Sequence, residues 1–548
     1  MPLSAKRWLL FLFFLGFFLR LRGLFANTFH ADEALFTSWA RWVRSGHDPF
    51  LLTQQVDKPP LLVYVQTAVF LLFPPTKMWA ARLPNWIASL LLPLLVGRKV
   101  WRWYGEGETA VLATTFLTLA PLAIQFSPTA FTDPLLVFFL WLALPEMGRG
   151  QTQTNADESW GLGFVSAIWL SFPRKRESRR MDSRESGNDS VLLTQIRTAP
   201  KSCLWHGFFF GCALLTKHQA WLFLPLIVAM GWLLGWRWRA WRRWLAGWLP
   251  LLLLLLGWEV GRNGRFLLWQ QQLDNFGGLR LIWSWELWPR LLAWGELGKT
   301  AVGGLWIGVL LVISLGWLLW QIISRKGAKT QRKTVIDDVL VLYVIGYLAL
   351  HWLLAIPVWD RYWLPLLPLL AVLLGRAGVR VQKEILARKG AKTLRRNLFC
   401  VFAPLRETLP LFLLLLMLPT AVQSQNGRFP IGGYPEADDG AAVVGQHLAA
   451  QPYGTVLYDH WYSWQWRYHL FNQRVYVSWF PHPAALAEDL QVFGNGDGTR
   501  FLVLPPGDSG QPVRRAVESA GFWLRPVPLP APTRMTLYEV EKRSDAKR

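Results

Sequence analysis

The chain has 548 residues, of which 52% are hydrophobic, and it carries a formal net charge of +23 with 35 tryptophans. A water-soluble protein of this length would be less apolar and far poorer in Trp, so the composition argues for a membrane protein. The basic residues stand in short clusters between apolar runs, as in cytoplasmic membrane loops, which sets nucleic-acid binding aside. Cys203, Cys212 and Cys400 have no metal-ligand spacing and set up no disulfide framework.

Lys6 and Arg7 precede the apolar run from Trp8 to Leu24. Only Phe25-Ala26-Asn27-Thr28-Phe29 follows, with no small-residue cleavage site, so an uncleaved first span with a cytoplasmic N-terminus is expected. The loop at 26–80 comes next. It opens on His30-Ala31-Asp32-Glu33-Ala34 and closes on Val56-Asp57-Lys58-Pro59-Pro60-Leu61. Charges are costly near a bilayer, about 3 kcal/mol each at its centre and less at the interface, so an adjacent pair of carboxylates there reads as functional. Asp32 to Ser45 has the spacing of an amphipathic helix, with Leu35, Trp39, Trp42 and Val43 on one face and Thr37, Ser38, Arg41 and Arg44 on the other. It is expected to lie in the membrane interface, to hold the acidic pair at its N-terminal end and to stop at Gly46-His47-Asp48-Pro49. A simpler reading makes Asp32 only the N-cap of that helix.

A span needs about 20 apolar residues. By that measure about eleven are predicted, near 8–25, 84–101, 109–125, 130–147, 204–217, 220–236, 244–260, 301–323, 337–356, 363–375 and 408–422. Arg98-Lys99 with Arg102, the Trp/Arg cluster at 236–244, Arg325 to Lys333 and Arg376 to Arg406 then fall on one side, which the positive-inside rule makes cytoplasmic. The loops at 26–80 and 261–299, Trp359-Asp360-Arg361-Tyr362 and the tail fall on the other. Cytoplasmic insertions are expected near 172–202, 324–334 and 376–407. Pro173 to Asp189 is charged and of low complexity, and Lys-Gly-Ala-Lys-Thr occurs twice, at 326–330 and 389–393. These segments read as disordered insertions outside catalysis. The short apolar run Trp160 to Leu170 reads as interfacial or as the severed start of the fifth span.

The composition changes after Gln423. Strands are predicted at 454–458, 474–479, 500–504 and 535–540, and helices at 484–493 and 512–521. The chain thus divides into a transmembrane domain, 1–422, and a small extracytoplasmic α/β domain, 423–548. Asp459-His460-Trp461-Tyr462 after the first of these strands reads as a structural turn rather than a substrate contact.

Four more charges stand at the same membrane face as Asp32, Glu33, Asp57 and Lys58. They are Arg82, Asp133 in Phe131-Thr132-Asp133-Pro134-Leu135, Lys217 in Leu214-Leu215-Thr216-Lys217, and Arg361 in Asp360-Arg361-Tyr362-Trp363-Leu364-Pro365. Singly each could be a snorkelling side chain or a cap. Together they suit a site in which cations receive a phosphate and a carboxylate takes a proton from a hydroxyl or amine.

The ordered set of motifs resembles the C-type (GT-C) membrane glycosyltransferases of the protein O-mannosyltransferase and aminoarabinose transferase superfamily, over roughly residues 8–375. The resemblance implies a polytopic helical GT-C fold, a polyprenyl-phosphate sugar donor, an acceptor approaching from outside the cell and inversion at the anomeric carbon. Asp32 matches the catalytic base, with Glu33 orienting it, and Lys58 matches the donor-phosphate contact. Lys217, Arg361 and Arg82 join Lys58 as phosphate-binding cations, while Asp57 and Asp133 line the cavity. Two departures stand out. Aminoarabinose transferases carry an Arg shortly after the acidic pair, where this chain has Leu35 and Phe36. Some members hold a metal with an acid beside Lys-Pro-Pro and a His from the later loop; Asp57 is present, but 261–299 contains no His. A divalent metal at Asp57 is therefore an open option. The rival class is a lipid-linked sugar flippase or transporter, which calls for internal repeats and helices broken at mid-membrane.

Overall fold

Inside a bilayer a chain must satisfy its backbone polar groups internally, so long apolar runs fold as helices. The computed structural model describes residues 1–146, 200–263, 280–324, 332–389, 398–429 and 437–543. In these it has nineteen α-helices and one five-stranded sheet. The first seven helices are α1 (Leu3–Ala26), α2 (Ala31–Arg44), α3 (Leu61–Phe70), α4 (Met78–Tyr104), α5 (Gly107–Leu119), α6 (Pro121–Phe126) and α7 (Thr132–Ala143). Then come α8 (Pro200–Thr216), α9 (Leu224–Leu233), α10 (Trp238–Asn263), α11 (Leu287–Val302), α12 (Leu305–Ser324), α13 (Arg332–Leu353), α14 (Leu367–Lys389) and α15 (Leu398–Gln425). Among the described residues six helices, α1, α4, α10, α12, α13 and α15, are long and apolar enough to cross a membrane. The other five predicted spans fall on α5 with α6, on α7, α8 and α14, and on the helical stretch that ends in α9.

The predicted span at 109–125 is two helices, broken at Ala120. Pro121 has no N–H for the carbonyl of Leu117, and the chain turns there. The carbonyls this frees are met by Arg20 of α1, which donates to Leu117 O (3.2 Å), Thr118 O (3.0 Å) and Ser127 Oγ (3.0 Å). A buried guanidinium in a membrane helix is thereby satisfied by hydrogen bonds to backbone and hydroxyl oxygens. Every residue of α5 from Thr109 to Leu119 is buried, against α1, α4, α14 and α15. Helices α8 and α10 approach so closely that a Cβ on Gly207 would stand 2.0 Å from Trp244 O, and one on Gly247 2.2 Å from Leu204 O.

Helix α4 runs from one rim of the bundle to the other. At its start Arg82 meets Glu33; near its end Lys99 reaches Glu146 (3.2 Å) and Leu144 O (2.7 Å). On that second rim Arg376 donates to Asp337 (3.0 Å) and Glu106 (2.6 Å), Arg380 also pairs with Asp337, and Lys383 reaches Glu106 (2.7 Å). Of the insertion expected at 376–407, the structure shows α14 continuing to Lys389 and α15 beginning at Leu398, with Arg376 and Arg380 paired to acids far off in sequence; residues 390–397 lie outside the described residues. Pro173 to Asp189, Trp160 to Leu170 and the first Lys-Gly-Ala-Lys-Thr lie outside the described residues.

The C-terminal domain adds α16 (Ala441–Ala449), β1 (Val456–Asp459), α17 (Ser463–His469), β2 (Tyr476–Trp479), α18 (Pro483–Phe493), β3 (Arg500–Leu504), α19 (Gln511–Ser519), β4 (Phe522–Pro526) and β5 (Thr536–Lys542). Strand order is β2-β1-β3-β5-β4, with β1 parallel to β2 and β3, and β5 antiparallel to β3 and β4. Alternation sends Leu457, Phe501, Val503 and Leu537 to the face packed with α16 and α17, and Tyr458, Leu502, Leu504 and Tyr538 to the face of α18 and α19. Strand β4 was not among the predicted strands.

This domain is pinned to the loop that carries Asp32. Arg41 donates to Tyr468 O (2.6 Å) and lies 4.1 Å over the Phe471 ring, and the Tyr468 hydroxyl donates to Thr76 O (2.9 Å). Helix α2 therefore does not lie free in a membrane interface. It is covered by α3 on one side and α17 on the other, and Thr37, Ser38 and Arg41 of its polar face are buried, while Arg44 at its end is exposed.

Candidate active site

The N-terminus of α2 sets the geometry. His30 is the N-cap: its Nδ1 accepts from Asp32 N (3.2 Å), and its own N–H donates to Glu33 (2.9 Å), a reciprocal capping box. Because His30 caps the helix, the carboxylate of Asp32 is not consumed in doing so. The simpler reading of Asp32 as an N-cap is set aside.

Glu33 and Arg82 are fully committed to each other and to the backbone. Arg82 Nε and Nη2 donate to the two Glu33 oxygens (2.9 and 3.0 Å), while its Nη1 and Nη2 reach Asn27 O (2.6 Å) and Thr28 O (2.7 Å). Glu33 also accepts from Ala130 N (2.7 Å). Both side chains are buried. Arg82 was expected among the phosphate-binding cations and Glu33 beside the catalytic base. In the structure they pair with each other and join the start of α2 to α4 and to the loop before α7.

The other charges converge. Asp32 accepts from Arg361 Nη1 at 2.9 Å, across 329 residues of sequence. Arg361 stands in the 3₁₀ turn Asp360–Trp363, where Asp360 accepts its N–H (2.6 Å) and its guanidinium lies 4.1 Å over the Trp359 ring. Asp133, in the first turn of α7, accepts from Lys217 Nζ at 2.6 Å. The second oxygen of Asp133 is buried and has no hydrogen-bond partner among the described residues. Arg361 lies within electrostatic reach of both Asp32 and Asp133, and Lys217 of both Arg361 and Lys58.

Lys58 pairs with Asp57, just ahead of α3, whose N-cap is Pro60. The loop leading to it is folded around Asp48, which accepts from Leu52 N (2.7 Å) and Thr53 N (2.8 Å), and Arg262 at the end of α10 donates to Leu51 O and Gln54 O (2.9 Å each). As for a metal at Asp57, that carboxylate is engaged by Lys58, and among the described residues no three His, Cys, Asp or Glu side chains are placed to hold an ion. Asp459, the last residue of β1, accepts from Tyr462 N (2.9 Å) and Ser463 Oγ (2.8 Å) and so closes the turn that follows the strand.

The structure therefore gathers Asp32, Arg361, Asp133, Lys217 and Lys58 at one rim, with the Glu33–Arg82 pair beside them at the start of α2. Sequence reading overlooked His30 as a cap and Arg41 as the docking residue. The capping signal was legible in His30-Ala31-Asp32-Glu33, since a side-chain acceptor followed three residues later by Glu is the pattern of a capping box. Nothing local marks Arg41.

A helical membrane bundle with its charged rim at the loop after the first helix, and a small α/β domain seated on that loop, is the GT-C fold of membrane glycosyltransferases. The chain is a multi-pass membrane protein with that fold. It is similar over 98% of its length, and 98% of the other chain, to ArnT from Cupriavidus metallidurans in the apo state (TM-score 0.57, 16% identity). The structure of that ArnT bound to undecaprenyl phosphate matches over 99% of both chains (TM-score 0.57, 14% identity). The oligosaccharyltransferase of Archaeoglobus fulgidus matches over 92% of this chain and 69% of its own (TM-score 0.52, 12% identity). In sequence, residues 57–172 match the family described as dolichyl-phosphate-mannose-protein mannosyltransferase. YycA of Bacillus subtilis (strain 168), whose name proposes a mannosyltransferase, is 28% identical over 167 residues, 28% of this chain. The matched stretch spans about a quarter (24%) of that relative.

Proposed function

We propose that the chain transfers a sugar from a polyprenyl-phosphate donor to an acceptor on the extracytoplasmic face of a cell membrane, with inversion at the anomeric carbon. The observation that carries this reading is the Asp32–Arg361 pair beside Lys217–Asp133: two carboxylates and two cations on one rim, charge-balanced before any ligand arrives. In the step envisaged, an acceptor hydroxyl or amine attacks the anomeric carbon as the bond from that carbon to the phosphate oxygen breaks. The electron pair leaves with the phosphate, and the acceptor proton passes to Asp32. Arg361 exchanges Asp32 for the phosphate as the donor binds, which frees the carboxylate to act as base. Lys217 and Lys58 face the charge that builds on the leaving group, where preorganised donors are worth most. Glu33 and Arg82 hold the helix that aims Asp32.

The fold shared with an ArnT that binds undecaprenyl phosphate supports a polyprenyl-phosphate ligand, and the mannosyltransferase match makes polyprenyl-phosphate mannose the first donor to test. The orientation follows from the basic clusters: Arg98, Lys99, Arg376 and Arg380 stand on the rim opposite Asp32, which the positive-inside rule makes cytoplasmic. The test is release of polyprenyl phosphate by the purified full-length protein from polyprenyl-phosphate hexoses and pentoses. Asp32→Asn should lower turnover by about 10²–10⁴-fold with expression intact. Near-wild-type turnover in Asp32→Asn would remove the base assignment, and no release by the wild type from any such donor would remove the transferase reading.

A further inference from the structure

The two cations Lys217 and Arg361 come from segments far apart in the chain, and a single phenol joins those segments. Tyr347, on α13, is buried. Its hydroxyl donates to the carbonyl of Tyr362, one residue past Arg361 (3.1 Å), and accepts from the side-chain amide of Gln219, two residues past Lys217 (2.5 Å). The ring cannot swing away. His351, one turn along the same helix, stacks on it at 4.1 Å between centroids, with its Nδ1 donating to Tyr347 O (2.9 Å). His351 is in turn held between Trp294 (5.7 Å) and Tyr362 (5.4 Å). The Lys217 ammonium lies 5.4 Å over the Tyr362 ring, so a shift of the turn bearing Arg361 also moves a wall of the Lys217 site. A hydroxyl can give and receive a hydrogen bond at once, and in a buried place neither partner has water as a substitute.

We propose that Tyr347 is a positioning residue, whose hydroxyl fixes the spacing of Lys217 and Arg361 and so the fit of the departing phosphate between them. The inference rests on the phosphate-binding reading given above. It does not require Tyr347 to touch the substrate. Its action runs through the two backbone segments, with Gln219 as the link to one and the Tyr362 carbonyl as the link to the other.

The experiment compares wild type, Tyr347→Phe and Gln219→Leu, as purified full-length proteins, in three measurements: polyprenyl phosphate binding, turnover with its acceptor KM, and thermal unfolding. Tyr347→Phe should weaken polyprenyl phosphate binding and slow turnover on the order of tenfold, the scale of a small misplacement of charged groups. Acceptor KM should stay near wild type, and Gln219→Leu should move the same quantities in the same direction. In an Arg361→Ala background, Tyr347→Phe should weaken polyprenyl phosphate binding much less than it does alone, because the cation it positions is gone. Unchanged binding and turnover in a folded Tyr347→Phe would overturn the proposal, as would an equal effect with and without Arg361. Should Tyr347→Phe fail to fold, unchanged phosphate binding in Gln219→Leu would overturn it. A wild type that binds no polyprenyl phosphate would overturn the donor reading and this inference with it, whereas wild-type binding with an unaffected Tyr347→Phe would overturn only the latter.

Discussion

Replacing Arg82 by Met tests whether the Glu33–Arg82 clasp supports the site or belongs to it. The substitution keeps the length and apolar stem of the side chain but removes four donated hydrogen bonds, two to Glu33 and one each to Asn27 O and Thr28 O. Glu33 keeps the N–H groups of His30 and Ala130 but loses its counter-charge in a buried place. Breaking one side of a buried ion pair typically costs about 3–5 kcal/mol. The two orphaned carbonyls add to this, at about 1–3 kcal/mol for each that stays dry. Glu33→Gln leaves acceptor oxygen in place, and the double variant Glu33→Gln/Arg82→Met has no buried unpaired charge. The double variant should therefore be less destabilised than the sum of the single changes, the mark of a direct coupling. The assay is thermal unfolding in one detergent, followed by size exclusion, with the exposed Arg239→Met as control. A shift in Arg82→Met no larger than the control's, together with weakened polyprenyl phosphate binding, would refute the clasp and return Arg82 to the phosphate site.

Two further outcomes are expected. Lys58→Ala should weaken inhibition by polyprenyl phosphate and slow turnover, with Lys58→Arg retaining part of both and acceptor affinity unmoved. If its pairing with Asp57 were merely a surface ion pair, worth about 1 kcal/mol or less, neither quantity would change. His469, on the domain seated over α2, is held neutral by burial, which pulls it from 6.5 down to about 4 against the opposing pull of Asp438. An unfolded or undocked chain takes up that proton near 6.5 and the docked one does not. Stability is thus complete above about pH 6.5 and falls as the pH drops toward 4, by up to about 1.4 kcal/mol per pH unit. Melting temperatures at pH 7.5 and 5 should differ less in His469→Gln than in wild type, and an equal difference in both would refute the assignment.

Motifs whose meaning is local and ordered were readable from the chain. Asp32, Lys58, Asp133, Lys217 and Arg361 are few charges against long apolar runs, and their convergence follows once the runs are folded as spans. Four of the five strands of the C-terminal domain were readable for the same reason, since alternation is local; β4 was not. What escaped was set by partners distant in sequence. Arg41 looks like a solvated residue on an amphipathic helix until Tyr468 and Phe471, more than 400 positions later, cover it. Arg376 and Arg380 look like part of a basic insertion until Asp337 and Glu106 pair with them. Arg82 reads as a ligand for phosphate because it stands among other charges at one membrane face. That a counter-ion for it is already in the chain, at Glu33, is again a matter of distant partners.

Arg20 also bears on how the protein is made. Its hydrogen-bonding partners at Leu117, Thr118 and Ser127 are synthesised about a hundred residues after it. Until then the first helix has a cation in its apolar length and no carbonyl from the broken helix to receive it, an arrangement lipid alone disfavours. During synthesis α1 has reason to linger at the insertion machinery, or to sit shallow with Arg20 drawn to the headgroups, until the break at Pro121 emerges. The docking of α1 thus waits on a segment made about a hundred residues after it.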